Sequence, residues 1–169
     1  MIRKAISVFL LTFPALMLAG GMPRGPQEAK TAMAGKAPRI FRIIVPVADL
    51  EKASAYYTAL LGLEGQRVSP GRHYFDSGGV ILALYNPGAD GDRQPVRPLP
   101  EHLYFAVGDL EAVFRRAESL GGLSTETGDG GLPMGKIAVR PWGERSFYMT
   151  DPFGNPLCFV DEKTVFTGK

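Results

Sequence analysis

The stretch Arg39–Val47, RIFRIIVPV, is rich in β-branched residues and reads as a strand. Strand side chains alternate between two faces. Phe41, Ile43 and Val45 therefore share one face, and Arg42 and Ile44 the other. Asp49 follows as a helix N-cap, Lys52–Leu61 has amphipathic helical spacing, and Gly62 is a stop signal. The same order returns sixty residues later. Val107-Gly108-Asp109-Leu110-Glu111 matches Val47-Ala48-Asp49-Leu50-Glu51. His102–Val107 is then a strand, Asp109 a cap, Leu110–Leu120 a helix, and Gly121-Gly122 its end.

Three further strands follow each helix. In the first copy they fall near Gly65–Ser69, Arg72–Asp76 and Val80–Asn86; in the second, near Gly135–Arg140, Arg145–Thr150 and Pro156–Asp161. The turns Asp76-Ser77-Gly78-Gly79 and Asp151-Pro152-Phe153-Gly154 correspond, so the additional residues of the second copy lie in its Gly-rich loop, Thr125–Gly135. Its Gly128–Gly135 part, with four glycines, is expected to be a mobile flap. Pro87–Pro100, with four prolines, links the copies. A repeat of this length denotes a duplicated supersecondary unit. The expected fold is α+β, with two tandem βαβββ modules (39–90 and 101–162) forming a curved mixed sheet with the helices outside. The concave face is then a small-molecule cleft. On the remaining strands Leu82, Leu84, Leu103, Phe105, Leu157 and Phe159 belong to the core face. Ala83, His102, Tyr104 and Cys158 point into the cleft.

Composition changes this picture only at the N-terminus. Arg3 and Lys4 precede an uncharged apolar run, Ala5–Gly21, that ends in small residues, the pattern of a secretory signal. Residues 1–21 are read as a signal peptide that exports the protein, the alternative being a membrane anchor. Residues 22–38 read as a flexible tether, 39–162 as the folded domain, and 163–169 as a tail. A formal net charge of +2 gives no basis for a nucleic-acid surface. The single cysteine rules out an intramolecular disulfide.

The strings VPVADLEKASAYYTALLGLE, EHLYFAVGDLE and PWGERSFYMTDPFGNPLCFVDE together resemble the vicinal oxygen chelate superfamily. That superfamily includes glyoxalases, extradiol dioxygenases, fosfomycin-resistance enzymes and bleomycin-resistance binding proteins. The resemblance implies a homodimer. In metal-using members it also implies four ligands on the cleft face, at positions corresponding to Arg42, Ala83, His102 and Cys158. Such sites hold a divalent ion with imidazole and carboxylate. Here only His102 is of that type. Ala83 has no donor, and Arg42 places a permanent positive charge where the cation would sit. Repulsion between unit charges ~4 Å apart is on the order of several kcal/mol in a partly desolvated cleft. No cofactor is therefore expected, the alternative being a divalent metal ion at a divergent site.

The candidate ligand-binding residues are Arg42, Ala83, Tyr85, His102, Tyr104, Trp142, Tyr148 and Cys158. Arg42 is either an anion receptor or an arginine bonded to an acid of the other module. His102 is either an acid–base or hydrogen-bonding group, or a histidine satisfied by a tyrosine or a carbonyl. Cys158 is either a thiolate stabilised by Arg42 or a small buried hydrophobe. His73 is expected to be exposed. Phe75, Tyr85, Tyr104, Trp142 and Tyr148 lie on or beside the cleft strands, where aromatic faces suit a planar ligand. The leading functional expectation is metal-independent binding of a small organic ligand, anionic or aromatic. The alternatives are a lyase, isomerase or dioxygenase with a divergent metal site, a metal-free catalyst using His102 and Cys158, and an interaction module whose cleft is vestigial.

Overall fold

The computed structural model describes residues 38–168, and from Ile40 onward they form one compact unit. The leader and nearly all of the tether lie outside the described residues. Among those residues no helix is long and apolar enough to cross a membrane.

Module one runs β1 (Arg42–Pro46), α1 (Leu50–Leu61), β2 (Gln66–Ser69), β3 (Arg72–Ser77) and β4 (Val80–Tyr85). Module two runs β5 (Leu103–Val107), α2 (Leu110–Leu120), β6 (Ala138–Val139), β7 (Arg145–Thr150) and β8 (Pro156–Asp161). Each module is a four-stranded mixed sheet, ordered β1-β4-β3-β2 and β5-β8-β7-β6. β1 runs parallel to β4 and β5 parallel to β8, whereas the remaining pairs are antiparallel. The expected α+β duplication is present, with hydrogen bonding dividing the strands into one sheet per module.

The repeat is visible at atomic level in the caps. The Asp49 carboxylate accepts from the Lys52 amide at 3.0 Å, and the Asp109 carboxylate from the Ala112 amide at 2.8 Å. Each satisfies one of the orphan N–H groups of a first helical turn. Gly62 ends α1 at φ 67°, a left-handed position that favours glycine.

Alternation on the strands builds the core as expected. Val45, Phe75, Leu82 and Leu84 from one sheet and Phe147, Met149, Leu157 and Phe159 from the other are buried. They join Tyr57 and Leu60 of α1 and Leu110, Val113 and Ala117 of α2 in one cluster. Because both helices contribute to a single core, the modules cannot separate without exposing it. A polar staple reinforces them. Asn155, fully buried in the β7–β8 turn, donates to the Pro46 carbonyl at 2.9 Å and to Asp151 at 2.8 Å, and accepts from the Leu99 amide at 3.0 Å. Tyr57 of α1 also donates to Asp151, at 2.9 Å.

Three expectations are corrected. β6 is two residues, Ala138–Val139, where a strand over Gly135–Arg140 was expected. The buried Arg140 guanidinium turns back and donates to the carbonyls of Pro133, Met134, Lys136 and Ser146. A side chain thus takes up acceptors that a longer ladder would use. The same bonds, with the Met134 amide on the Glu126 carbonyl at 2.9 Å, stitch the Gly-rich loop down. His73 is not exposed. It packs 5.0 Å from the Phe75 ring, and its Nε2 is buried without a hydrogen-bond partner among the described residues. Burial, then the Arg67 charge, lowers its pKa. Gly65 makes the room, since a Cβ there would fall 2.1 Å from that nitrogen.

Candidate functional site

The face of each sheet turned away from the helices carries the candidate residues. On module one these are Arg42 of β1 and Ala83 and Tyr85 of β4. The Arg42 guanidinium lies over the Tyr74 ring at 4.9 Å and the Phe41 ring at 5.2 Å. It bonds no acid of the other module among the described residues and remains exposed, so its N–H fork is available. Ala83, in register with Ile44 and Tyr74, is fully buried. Tyr85 donates to Asp92, and its ring sits 4.1 Å from the Arg72 guanidinium, which pairs with Asp90 at 2.9 Å.

Module two gathers the larger set. His102, immediately before β5, stands edge-on to Tyr148 at 5.0 Å and 6.3 Å from Tyr104; the two tyrosine rings are 6.4 Å apart. Tyr148 thus has His102 and Tyr104 at its ring and shares a buried cluster with Cys158. Burial raises its pKa first, and the charges of Cys158 and Tyr104 follow.

Cys158 does not open into the cleft. It is fully buried beneath Tyr148, in a small second cluster with Val160 and Met134. Burial pushes its thiol up to about 12, against the lowering influence of bonds to Tyr148 and Ser146. The thiol is protonated at neutral pH, and the buried-hydrophobe alternative describes it. A nucleophilic thiolate does not.

Trp142 lies in the turn before β7, 41% exposed, with its indole N–H donating to Glu144 at 2.8 Å. It shares a hollow of about 220 Å³ with Asp129, Met134, Arg140, Pro141 and Tyr148. Arg140 forms its floor, 4% exposed and 5.0 Å from the Tyr148 ring. Arg140, Glu144 and Ser146 were not anticipated. Strand alternation from Tyr148 back through Ser146 to Glu144 carries the signal for two of them. Nothing local marks Arg140, which folds inward from a turn.

His102, Tyr104, Tyr148 and Cys158 thus come together, with Trp142 across the hollow from Tyr148. Arg42, Ala83 and Tyr85 lie on the other sheet, and among the described residues no strand of one sheet pairs with a strand of the other. The four superfamily ligand positions do not fit a divalent ion. One is an alanine, one a guanidinium, and one a buried thiol that burial keeps protonated. No group of three or more His, Cys, Asp or Glu side chains able to hold a metal occurs among the described residues.

Two βαβββ modules, each presenting a helix-free face with aromatic and cationic groups, define a paired-module α+β protein. The family model for the glyoxalase/bleomycin resistance protein/dioxygenase superfamily matches residues 39–159, and the chain belongs to that superfamily. Among solved structures it is similar to lactoylglutathione lyase from Agrobacterium tumefaciens (25% identity, TM-score 0.55, 76% of this chain and 97% of that one). It is likewise similar to the bleomycin resistance determinant encoded on transposon Tn5 (19%, TM-score 0.54, 75% and 99%). A third similar structure is a glyoxalase/bleomycin resistance protein/dioxygenase from Nocardioides (20%, TM-score 0.55, 85% and 94%). No curated protein matches the chain.

Proposed function

We propose that the protein binds a small organic ligand on these helix-free faces without a catalytic metal. The observation that carries this reading is the chemistry at the four ligand positions, where Arg42 and Ala83 replace donors and Cys158 is buried and protonated. The aromatic groups that remain, Tyr104, Tyr148 and Trp142, offer flat apolar surface, and Arg42, exposed and without an acid partner among the described residues, offers a guanidinium fork for a carboxylate or phosphate. The likeness to the bleomycin resistance determinant supports the reading at the level of fold.

A homodimer, which the resemblance to the superfamily implies, is part of the proposal. Export by residues 1–21 is also part of it and suits capture of a compound outside the cell. A glyoxalase-like enzyme is the second reading. His102, together with 25% identity to a lactoylglutathione lyase, speaks for it.

The test is thermal denaturation of chelator-treated protein against a panel of aromatic anions, neutral aromatics and aliphatic acids. A ligand that binds only the folded chain raises the midpoint with concentration. At least one aromatic class should do so. Arg42→Ala should weaken anions selectively, and a flat response throughout would refute the binding role.

A further inference from the structure

The C-terminal residues fold back onto module two. Asp161 caps a short 3₁₀ turn, Glu162–Thr164, by accepting from the Lys163 amide at 3.1 Å. The Thr164 hydroxyl donates to the Asp161 carbonyl at 3.0 Å and accepts from the Arg145 amide at 2.9 Å. The chain then crosses the helix-free face, where Val165 and Phe166 roof a hollow of about 290 Å³ over Tyr104, Ala106, Val160 and Glu144. The roof is lightly held. Val165 is 41% and Phe166 56% exposed, and Phe166 is fastened by one bond, its amide donating to Glu144 Oε1 at 3.0 Å.

Glu144 is the unusual member of this group. It is a buried carboxylate with no Lys or Arg at ion-pairing distance among the described residues. The nearby Arg140 directs its donors to carbonyls and to Ser146. The side chain of Glu144 accepts two N–H groups, the Trp142 indole on one oxygen and the Phe166 amide on the other. A buried charge with neutral donors and no counter-ion is poorly compensated. A ligand that replaced the Phe166 amide with an ammonium would supply both the donor and the missing charge. The displaced Val165 and Phe166 would leave an apolar, aromatic-lined space for its body.

Resting on the ligand-binding reading above, we infer that Glu144 is a recognition group for a primary ammonium carrying an apolar or aromatic body. Val165–Phe166 is a built-in competitor for that site. The tail occupies the place of the ligand: an N–H at Glu144 and apolar side chains over Tyr104 and Val160. Ligand entry therefore displaces the tail, and Trp142, held by the other oxygen, senses the exchange.

Trp142 is the sole tryptophan of the chain, so its fluorescence reports the site directly. The probe is 2-phenylethylammonium, compared with 2-phenylethanol and 3-phenylpropanoate, in titrations of Trp142 emission. A chain ending at Lys163 should bind the ammonium about tenfold tighter than the full chain, since the competing state is removed. Phe166→Pro, which keeps the tail but deletes its N–H, should do likewise. Glu144→Gln should bring the ammonium and the alcohol to parity. Equal affinities of the shortened and full chains would overturn the inference, as would indifference of the shortened chain to the charge of the probe. Binding of all three probes alike would leave the ligand-binding role standing while this inference fell. Binding of none to either chain would remove both.

Discussion

Asn155→Ala removes the hub that ties the two modules. Asn155 makes three side-chain hydrogen bonds, to the Pro46 carbonyl, to Asp151 and from the Leu99 amide, and is fully buried. Asp151 would keep Tyr57 and the amides of Phe153 and Asn155 as donors. The Pro46 carbonyl and the Leu99 amide would each lose a partner. Leaving a buried polar group unsatisfied costs about 1–3 kcal/mol, and the vacated volume adds about 1 kcal/mol. Both groups are only partly buried, so the low end of that range applies to each, and the expected loss is about 3 kcal/mol, or about 10 °C in melting temperature for a domain of this size. Tyr57→Phe removes one bond from a carboxylate that retains others and should lose only about 1 kcal/mol. Urea denaturation followed by circular dichroism measures both. If Asn155→Ala loses less than about 1 kcal/mol, or no more than Tyr57→Phe, the inter-module staple is not a major contributor and the reasoning is wrong.

Two further perturbations probe the interior. Cys158 should resist thiol reagents in the native state near neutral pH and react at the rate of unfolding. Its folded value of about 12 lies above the ordinary 9.0, so the native state holds the proton longer than the unfolded chain does. Stability is therefore unaffected below about pH 9 and falls between about pH 9 and 12, by as much as ~4 kcal/mol. Tyr56, raised to about 12 by burial and then Asp151, acts in the same direction. Cys158→Ala should flatten the alkaline slope, and an unchanged slope would refute the assignment. Gly65→Ala drives a methyl into His73 and Phe75, with contacts of 2.1 and 2.8 Å before relaxation, and should destabilise by about 1–3 kcal/mol. Wild-type stability in that variant would show that the His73 ring has room to move.

The duplication was legible because it rests on local chemistry. Asp49 and Asp109 cap helices through neighbouring amides, Gly62 terminates by its own φ, and β7 and β8 begin and end where alternation places them. What alternation cannot give is depth. It assigned Cys158 to the face it shares with Tyr148 and Val160 and left Tyr148 unsorted, and the loop held by Arg140 brings Met134 over both. The shortened β6 has the same origin, a side chain returning to its own loop's carbonyls. The Asp151-Pro152-Phe153-Gly154-Asn155 string was readable as a turn. Its carboxylate's partner, Tyr57, lies 94 residues away, a link that only folding reveals. The bond from Phe166 to Glu144 is likewise nonlocal. A tail with no periodicity gives no sign of it.

The proposed function requires that this member of the superfamily hold its ligand without a metal ion. Elemental analysis after incubation with Zn²⁺, Ni²⁺, Mn²⁺ and Fe²⁺ and gel filtration tests it most directly. No divalent ion should be retained in stoichiometric amount, and ligand binding should survive chelation. One tightly held ion per chain, lost in His102→Ala, would contradict the account and favour the enzyme.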